Sequence, residues 1–310
     1  MISDPSVTIL NVGHGNSAVI RDGAVTIVVD TGGEHVGTRL LDYLKAEGIV
    51  EIDALLLSHA DEDHIGSAPT LLLSDQVGIK KVFLNSDSTK RTAALRNLQL
   101  ALGKARREKG TQVETSLTTQ QTGLMPKMSL RCDILYPSPE SVVSGPGGRG
   151  VDGGPQSTNS LSAVVRVSNQ LSMRVLLPGD SGLETISFWQ DENVTPEADV
   201  IVFPHHGGRP GTADPAVFAR EFSSITRPAV VVFSLSKTKH DLPRDDVVDA
   251  IRVVCPEAHL ICTQLPERLE TKASEHPWTH HWREAGLVTQ LHVRVRMSDG
   301  EILILRDSAE

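Results

Sequence analysis

Five runs of β-branched and aliphatic residues in this chain stop on residues able to bind a metal ion, and that repetition restricts the fold more than any other feature. Thr26-Ile27-Val28-Val29 runs into Asp30, and Ala54-Leu55-Leu56-Leu57 leads through Ser58 to His59. Met173 to Leu177 leads to Asp180, Ala198 to Phe203 to His205, and Ala229 to Ser234 toward His240. Apolar runs of this length bounded by turn residues read as buried strands. In layered α/β folds the strand ends and the loops beyond them form the ligand crevice. The distribution therefore predicts one site assembled from distant segments at one edge of a sheet architecture.

The densest part of that site is Ser58-His59-Ala60-Asp61-Glu62-Asp63-His64-Ile65-Gly66. It packs two histidines and two aspartates into six positions beyond a buried strand. In extended chain, side chains two apart point the same way, so His59 and Asp61 are placed to grip one ion together. Asp63 and His64 follow where Gly66 and Ala68-Pro69-Thr70-Leu71-Leu72-Leu73 suggest a helix beginning. Imidazole and carboxylate both ligate first-row metals, and carboxylate moves the preference toward harder ions. The plain alternative is an acidic loop with incidental histidines.

The rest of the chain sets the frame. Its 310 residues suffice for one large domain or two small ones, with 39% hydrophobic and 22% charged residues as in ordinary globular proteins. The N-terminus lacks a basic region followed by an apolar run, and no stretch approaches about 18 consecutive apolar residues, so neither a secretory signal nor a membrane span is expected. Cys132, Cys255 and Cys262, without a Cys-x-x-Cys pair, argue against a disulfide framework or a cysteine zinc knuckle and fit a reducing cytosol, hence a cytoplasmic location. A net charge of −9 weighs against an indiscriminate nucleic-acid coat.

Val7 to Val29 reads as a three-strand meander with Gly-bearing turns, and strand–helix alternation follows. Helical spacing is expected over Arg39–Lys45, Ala68–Leu73, Thr92–Arg107 and Asp245–Val254. Ser144 to Gln156, with six glycines and two prolines, is expected not to pack, serving as a lid or a tolerated insertion. Gln290–Met297, Ser298-Asp299-Gly300 and Ile302–Leu305 give a terminal hairpin signal that extends a sheet or supports a homodimer. From Lys90 to Lys109, seven basic residues face a single acid, Glu108. This local inversion of sign reads either as a solvated helix face or as a surface tracking phosphates.

With these motifs on the page, the chain resembles the metallo-β-lactamase superfamily. The resemblance rests on Asp30-Thr31-Gly32, on His59-Ala60-Asp61-Glu62-Asp63-His64 and on Pro178-Gly179-Asp180. It is most similar to the ComEC-like branch, the hydrolase domain of competence DNA-uptake proteins. That narrower match rests on Leu10-Asn11-Val12-Gly13-His14-Gly15-Asn16-Ser17, on Asp61, on Asn159-Ser160-Leu161 and on Phe203-Pro204-His205-His206-Gly207. The resemblance covers roughly residues 7 to 263. It implies an α/β (α+β) αββα sandwich of two mixed sheets flanked by helices, in a free-standing soluble relative. A hydrolase domain over 1–265 would carry a C-terminal hairpin extension, 266–310, packed on it.

Carried over by position, the resemblance implies one or two divalent ions, Zn²⁺ or Mn²⁺. His59 and Asp61 would hold the first, Asp63, His64 and His205 the second, and Asp180 would bridge them. His206 is the alternative to His205. Asp30 would orient the cluster loop from behind, with His14, Asn16, Asn159 and Lys237 near the site or its substrate. Asp63 and His240 are the expected catalytic residues, His240 as a substrate contact or proton donor. Two departures from the family pattern stand out: no histidine lies between His64 and His205, and only His240 remains where relatives carry two.

The leading functional expectation is a metal-dependent phosphodiesterase or nuclease using a metal-activated hydroxide. Nucleic acid would lie along residues 90–109, helped by Lys237 and Lys239. One alternative is hydrolysis of a small ester, lactone, thioester or cyclic phosphodiester. Another is a non-catalytic binding or regulatory module stabilised by metal.

Overall fold

The computed structural model describes residues 4–34, 38–125, 127–150, 153–171, 173–236, 241–266 and 291–306. The strands are β1 (Ser6–Ile9), β2 (Ala18–Asp22), β3 (Val25–Val29), β4 (Glu51–Leu57), β5 (Gly78–Leu84), β6 (Gln112–Glu114), β7 (Arg131–Tyr136), β8 (Val164–Ser168), β9 (Arg174–Leu177), β10 (Val200–Val202), β11 (Val230–Phe233), β12 (His259–Cys262), β13 (Leu291–Arg296) and β14 (Ile302–Arg306). The helices are α1 (Arg39–Ala46), α2 (Glu62–Ile65), α3 (Ala68–Leu73), α4 (Ala93–Lys109), α5 (Pro139–Ser144), α6 (Leu183–Asp191), α7 (Pro215–Thr226) and α8 (Asp245–Val254).

Two mixed sheets result, β14-β13-β1-β2-β3-β4-β5-β6 and β12-β11-β10-β9-β8-β7. Each opens as an antiparallel meander, β1-β2-β3 and β7-β8-β9, and continues in parallel strands, β3 to β6 and β9 to β12. The crossovers are helical, as parallel connections require. The same succession thus occurs twice, although no sequence repeat announces it.

Why the strands read as unbroken apolar runs follows from the layering, since both faces of each sheet are covered. Ala54 and Leu56 of β4, Val175 and Leu177 of β9, and Val230 and Val232 of β11 fill the core between the sheets. Their neighbours Leu55 and Leu57 pack outward with residues of α1, α3 and α4. Leu176, Val231 and Phe233 pack outward with α6, α7 and α8. Trp189 on α6 is fully buried there, and its indole N–H donates to the Leu135 carbonyl at 3.0 Å. Each aliphatic side chain so buried stabilises the fold by about 1.5–3 kcal/mol.

The expected helices at Arg39, Ala68, Thr92 and Asp245 are present, and Thr92 caps α4 by accepting from the Leu95 amide at 3.3 Å. The expectation that residues 144–156 would not pack is corrected. Among the described residues of that segment, Gly147 N donates to Gln156 O at 2.8 Å, Gln156 N to Gly148 O at 3.0 Å and Gly150 N to Gly154 O at 2.8 Å. Backbone self-pairing holds the turn, and Pro146 is buried within it. The C-terminal hairpin extends the first sheet, because β13 pairs with β1 from Ser6↔Arg296 to Ile9↔Val293. Among the described residues, no helix is long and apolar enough to cross a membrane.

Candidate metal centre

The carboxyl ends of β3, β4, β9 and β10 meet at one edge of the sandwich, and the next residues supply the site. Asp30, just beyond β3, sits in the left-handed backbone region (φ 57°) and is almost fully buried. Its Oδ1 accepts from the Ser58 amide at 2.7 Å, and its Oδ2 accepts from Ser58 Oγ and His64 Nδ1, both at 2.7 Å. His64 has therefore committed its Nδ1 proton to Asp30, and Nε2 is left facing Asp180 Oδ1 at 3.4 Å.

His206 repeats this arrangement from the other sheet. Its Nδ1–H donates to the Ser234 carbonyl at 2.5 Å, so Nε2 turns toward Asp63 Oδ2, 3.1 Å away. An imidazole whose other nitrogen donates to a carboxylate or carbonyl is the usual setting of a metal-ligating histidine. A lone pair facing a carboxylate oxygen at such distances requires a proton or a cation between them.

Ligand atoms of Asp63, His64, Asp180 and His206 all lie within 4.8 Å of one another. The buried Nε2 atoms of His59 and His64 have no hydrogen-bond partner. Two imidazoles with committed outer nitrogens, their inner nitrogens turned toward two carboxylates and that of His64 unsatisfied, fit a divalent ion.

His59 stands beside this cluster, its ring centroid 4.1 Å from that of His64. Its Nδ1 lies 3.0 Å from Ser58 Oγ and 3.3 Å from Ser162 Oγ, and its Nε2 lies 3.7 Å from Asp61 Oδ2. The other Asp61 oxygen is ion-paired with Lys90. His205 is placed differently from His206, with Nδ1 3.5 Å from Asp180 Oδ2 and its amide donating to Asp180 Oδ1 at 3.1 Å. His14 brings Nε2 within 3.5 Å of Asp63 Oδ2 and stacks on His206, ring centroids 4.5 Å apart. The Asn16 amide donates to the Asp63 carbonyl at 3.2 Å, and Asn159 opens the single turn Asn159–Leu161 that leads into Ser162. Lys237 and His240 lie outside the described residues, as do His280 and His281.

Two glycines allow these segments to approach. A Cβ on Gly15 (φ +136°) would lie 2.2 Å from the Asp63 carbonyl oxygen. One on Gly179 (φ +54°) would lie 2.3 Å from Ser162 Oγ. Such φ values favour glycine independently of the space.

The electrostatics follow from burial among opposite charges. Burial alone would lower the His64 pKa, but the Asp180 and Asp30 carboxylates outweigh it and hold it well above the usual histidine value. Burial, reinforced by neighbouring His64, pushes His59 well below it, so His59 is neutral. Burial would raise Asp63 and Asp180, yet the histidines around them hold both carboxyls ionised and well below the usual range.

Sequence reasoning placed Asp30, Asp63, His64 and Asp180 in one site and named His205 ahead of His206. The structure brings His206 into the four-residue cluster and sets His205 against Asp180, Nδ1 3.5 Å from Oδ2. Ser162, just before β8, and Ser234, just past β11, were missed, and a lone serine at a strand end carries no signal that marks it. Lys90 was read only as part of a basic stretch.

Residues 10–82 match the model of the metallo-beta-lactamase superfamily. The fold shares a TM-score of 0.51 with the metallo-beta-lactamase fold protein YhfI from Bacillus subtilis, at 14% identity over 84% of this chain and 96% of that one. Fold and site together point to one class: a metallo-β-lactamase fold whose residues 10–82 match that superfamily, with a candidate metal site at its strand ends. Its sequence is 28% identical to ComE operon protein 3 of Bacillus subtilis (strain 168), over 81% of this chain and 31% of that protein. It is also 28% identical to Recombination protein 2 of Haemophilus influenzae, over 74% of this chain and 24% of that protein. The chain thus spans under a third of the length of these curated relatives.

Proposed function

We propose that this chain is a metal-dependent phosphodiesterase acting on a nucleic-acid backbone. The observation that carries the reading is where the basic stretch begins. Lys90, its first residue, is ion-paired with Asp61 at the site, and Arg91, Arg96, Lys104, Arg106, Arg107 and Lys109 are exposed along α4 beyond it. A chain of net charge −9 that gathers seven cations into one segment starting at the edge of an ion-binding cluster is suited to a polyanion. The name of one relative, Recombination protein 2, points the same way.

Asp63, His64, Asp180 and His206 would hold the ion. When bound, a Zn²⁺ or Mn²⁺ ion supplies Lewis acidity and lowers the pKa of water toward about 7. Asp30 and the Ser234 carbonyl fix the two imidazoles so that Nε2 faces inward. Asp63, held ionised, is placed to accept a proton from an attacking water, and neutral His59 to hydrogen-bond a substrate oxygen. Lys90 lies where it can meet a phosphate.

The test is an activity panel of single-stranded DNA, duplex DNA, RNA and a generic phosphodiester, each with Mn²⁺ and with Zn²⁺. Cleavage of nucleic acid is expected, and Asp63→Ala should abolish it; undiminished cleavage by that variant refutes the assignment. The net negative charge favours a second reading, hydrolysis of a small ester, lactone, thioester or cyclic phosphodiester. Salt separates the two: nucleic-acid affinity should fall steeply between about 50 and 200 mM, whereas a small neutral substrate should be insensitive.

A further inference from the structure

The half of the cluster expected to hold a first ion is built differently from the other half. At Asp63, His64, Asp180 and His206, each histidine is fixed from behind and the ligand atoms converge within 4.8 Å. At His59 and Asp61 there are two candidate ligands, and one oxygen of Asp61 already bonds the Lys90 ammonium. The other oxygen faces His59 Nε2 at 3.7 Å.

Lys90 does not arrive there as a loose surface side chain. Its amide donates to Asp87 Oδ1 at 3.1 Å, which also accepts from Thr89 N at 2.8 Å and Thr89 Oγ1 at 2.7 Å. Asp87 Oδ2 accepts from Thr158 Oγ1 at 2.5 Å. Thr158 precedes the Asn159–Leu161 turn that delivers Ser162 to His59. One loop network therefore holds both the backbone from which Lys90 reaches Asp61 and the turn that delivers the serine beside His59.

We infer that Lys90 takes the place of a second metal ion, so that the site binds a single divalent ion with an ammonium beside it. Two observations lead there. The missing histidine between His64 and His205 leaves His59, Asp61 and the bridging Asp180 to hold the first position, so its occupancy hangs on Asp61 being free to bind. The Lys90 ammonium neutralises Asp61 and repels any further cation placed against the same carboxylate, a repulsion that scales with the product of the charges. This goes beyond the proposed function, resting on the identity of the four-residue metal site and on nothing about the substrate.

The test is Mn²⁺ stoichiometry on the full chain, by elemental analysis after equilibrium dialysis and by electron paramagnetic resonance. The wild type should bind one ion per chain with an uncoupled six-line spectrum. Lys90→Met, which keeps the stem and removes the charge, should take up a second ion and show exchange coupling. Lys90→Arg, keeping the charge, should stay at one. Two ions in the wild type, or one in Lys90→Met, would overturn the inference while leaving the metal site and the phosphodiesterase reading standing. No ion in the wild type would overturn it together with the metal site, whichever substrates the chain cleaves.

Discussion

Asp30 offers the sharpest test of how the metal centre is held, because it touches the site through two neighbours and lies outside the four-residue cluster. Asp30→Asn preserves shape and removes charge. The amide oxygen can still accept from the Ser58 amide, but the amide NH₂ then meets Ser58 Oγ and His64 Nδ1, both of which donate to Asp30 at 2.7 Å. The Ser58 hydroxyl can turn to accept from the NH₂, but the His64 Nδ1–H cannot, so the bond from His64 to a charged, buried acceptor is lost and metal-free stability falls by about 1.5–3 kcal/mol. Freed from Asp30, the His64 ring is no longer held with Nε2 inward, and ion affinity should drop about 10–100-fold.

The pH dependence carries a sign. His64 has a folded-state pKa well above its unfolded value near 6.5, burial opposing the shift and Asp180 and Asp30 driving it. The folded state then binds more protons than the unfolded state above that value. The stabilisation is fully present below about pH 6.5 and is lost as pH rises through the folded pKa. In Asp30→Asn this decline should be shallower, so the two proteins should differ most on the acid side of the window. Urea unfolding of metal-free protein at several pH values, with Mn²⁺ titration calorimetry at neutral pH, measures both quantities. Unchanged ion affinity with a stability loss under about 1 kcal/mol would refute the reasoning, since surface substitutions commonly cost that little.

Gly15→Ala should destabilise the fold by about 2–5 kcal/mol, from backbone strain at φ +136° and a Cβ set 2.2 Å from the Asp63 carbonyl oxygen. Gly48→Ala, also at positive φ but with no heavy atom within 4 Å of the new Cβ, should cost about 1 kcal/mol; equal urea midpoints for the two variants would count against the close approach. Among the thiols, burial pushes Cys132 up to about 12, so at pH 8 it is protonated in the native state. Cys262 is equally buried and Cys255 only partly so. A chromogenic disulfide should therefore label Cys255 first, and Cys132 and Cys262 only on unfolding.

Much of the fold was legible because burial on both sheet faces turns strands into unbroken apolar runs. Ala54-Leu55-Leu56-Leu57 could hardly read otherwise, and α8 follows the spacing of Val247, Val248 and Ile251, which are buried on one face. Four helices were not read: α2, α5, α6 and α7. The last did carry a signal, Asp214 as N-cap followed by Pro215, with the Asp214 side chain accepting from the Ala216 and Val217 amides. The choice between His205 and His206 was not legible for a geometric reason. Both lie in left-handed backbone, φ 51° and 56°, inside the turn Pro204–Gly207. Neither the strand period nor the helix period says where such a side chain points. Lys90 escaped for another reason, since its partner Asp61 meets it only through the folding of the loop that Asp87 holds.

The pairing of β1 with β13 has a consequence for the order of events on the ribosome. β1 is made well before β13, and β2 follows it within a few residues to cover one of its edges. The other edge is matched by β13, and the amide of Asn11, just past β1, donates to His292 Nδ1, 281 residues further along. Until that segment emerges, the nascent domain carries an open strand edge built of Val7 and Ile9 together with the buried polar residues between them. Open edges of that kind recruit other chains. Synthesis at about 5–20 residues per second leaves the edge uncovered for tens of seconds, so truncated forms of this chain lacking β13 should aggregate well before they lose the metal cluster, every ligand of which is encoded earlier.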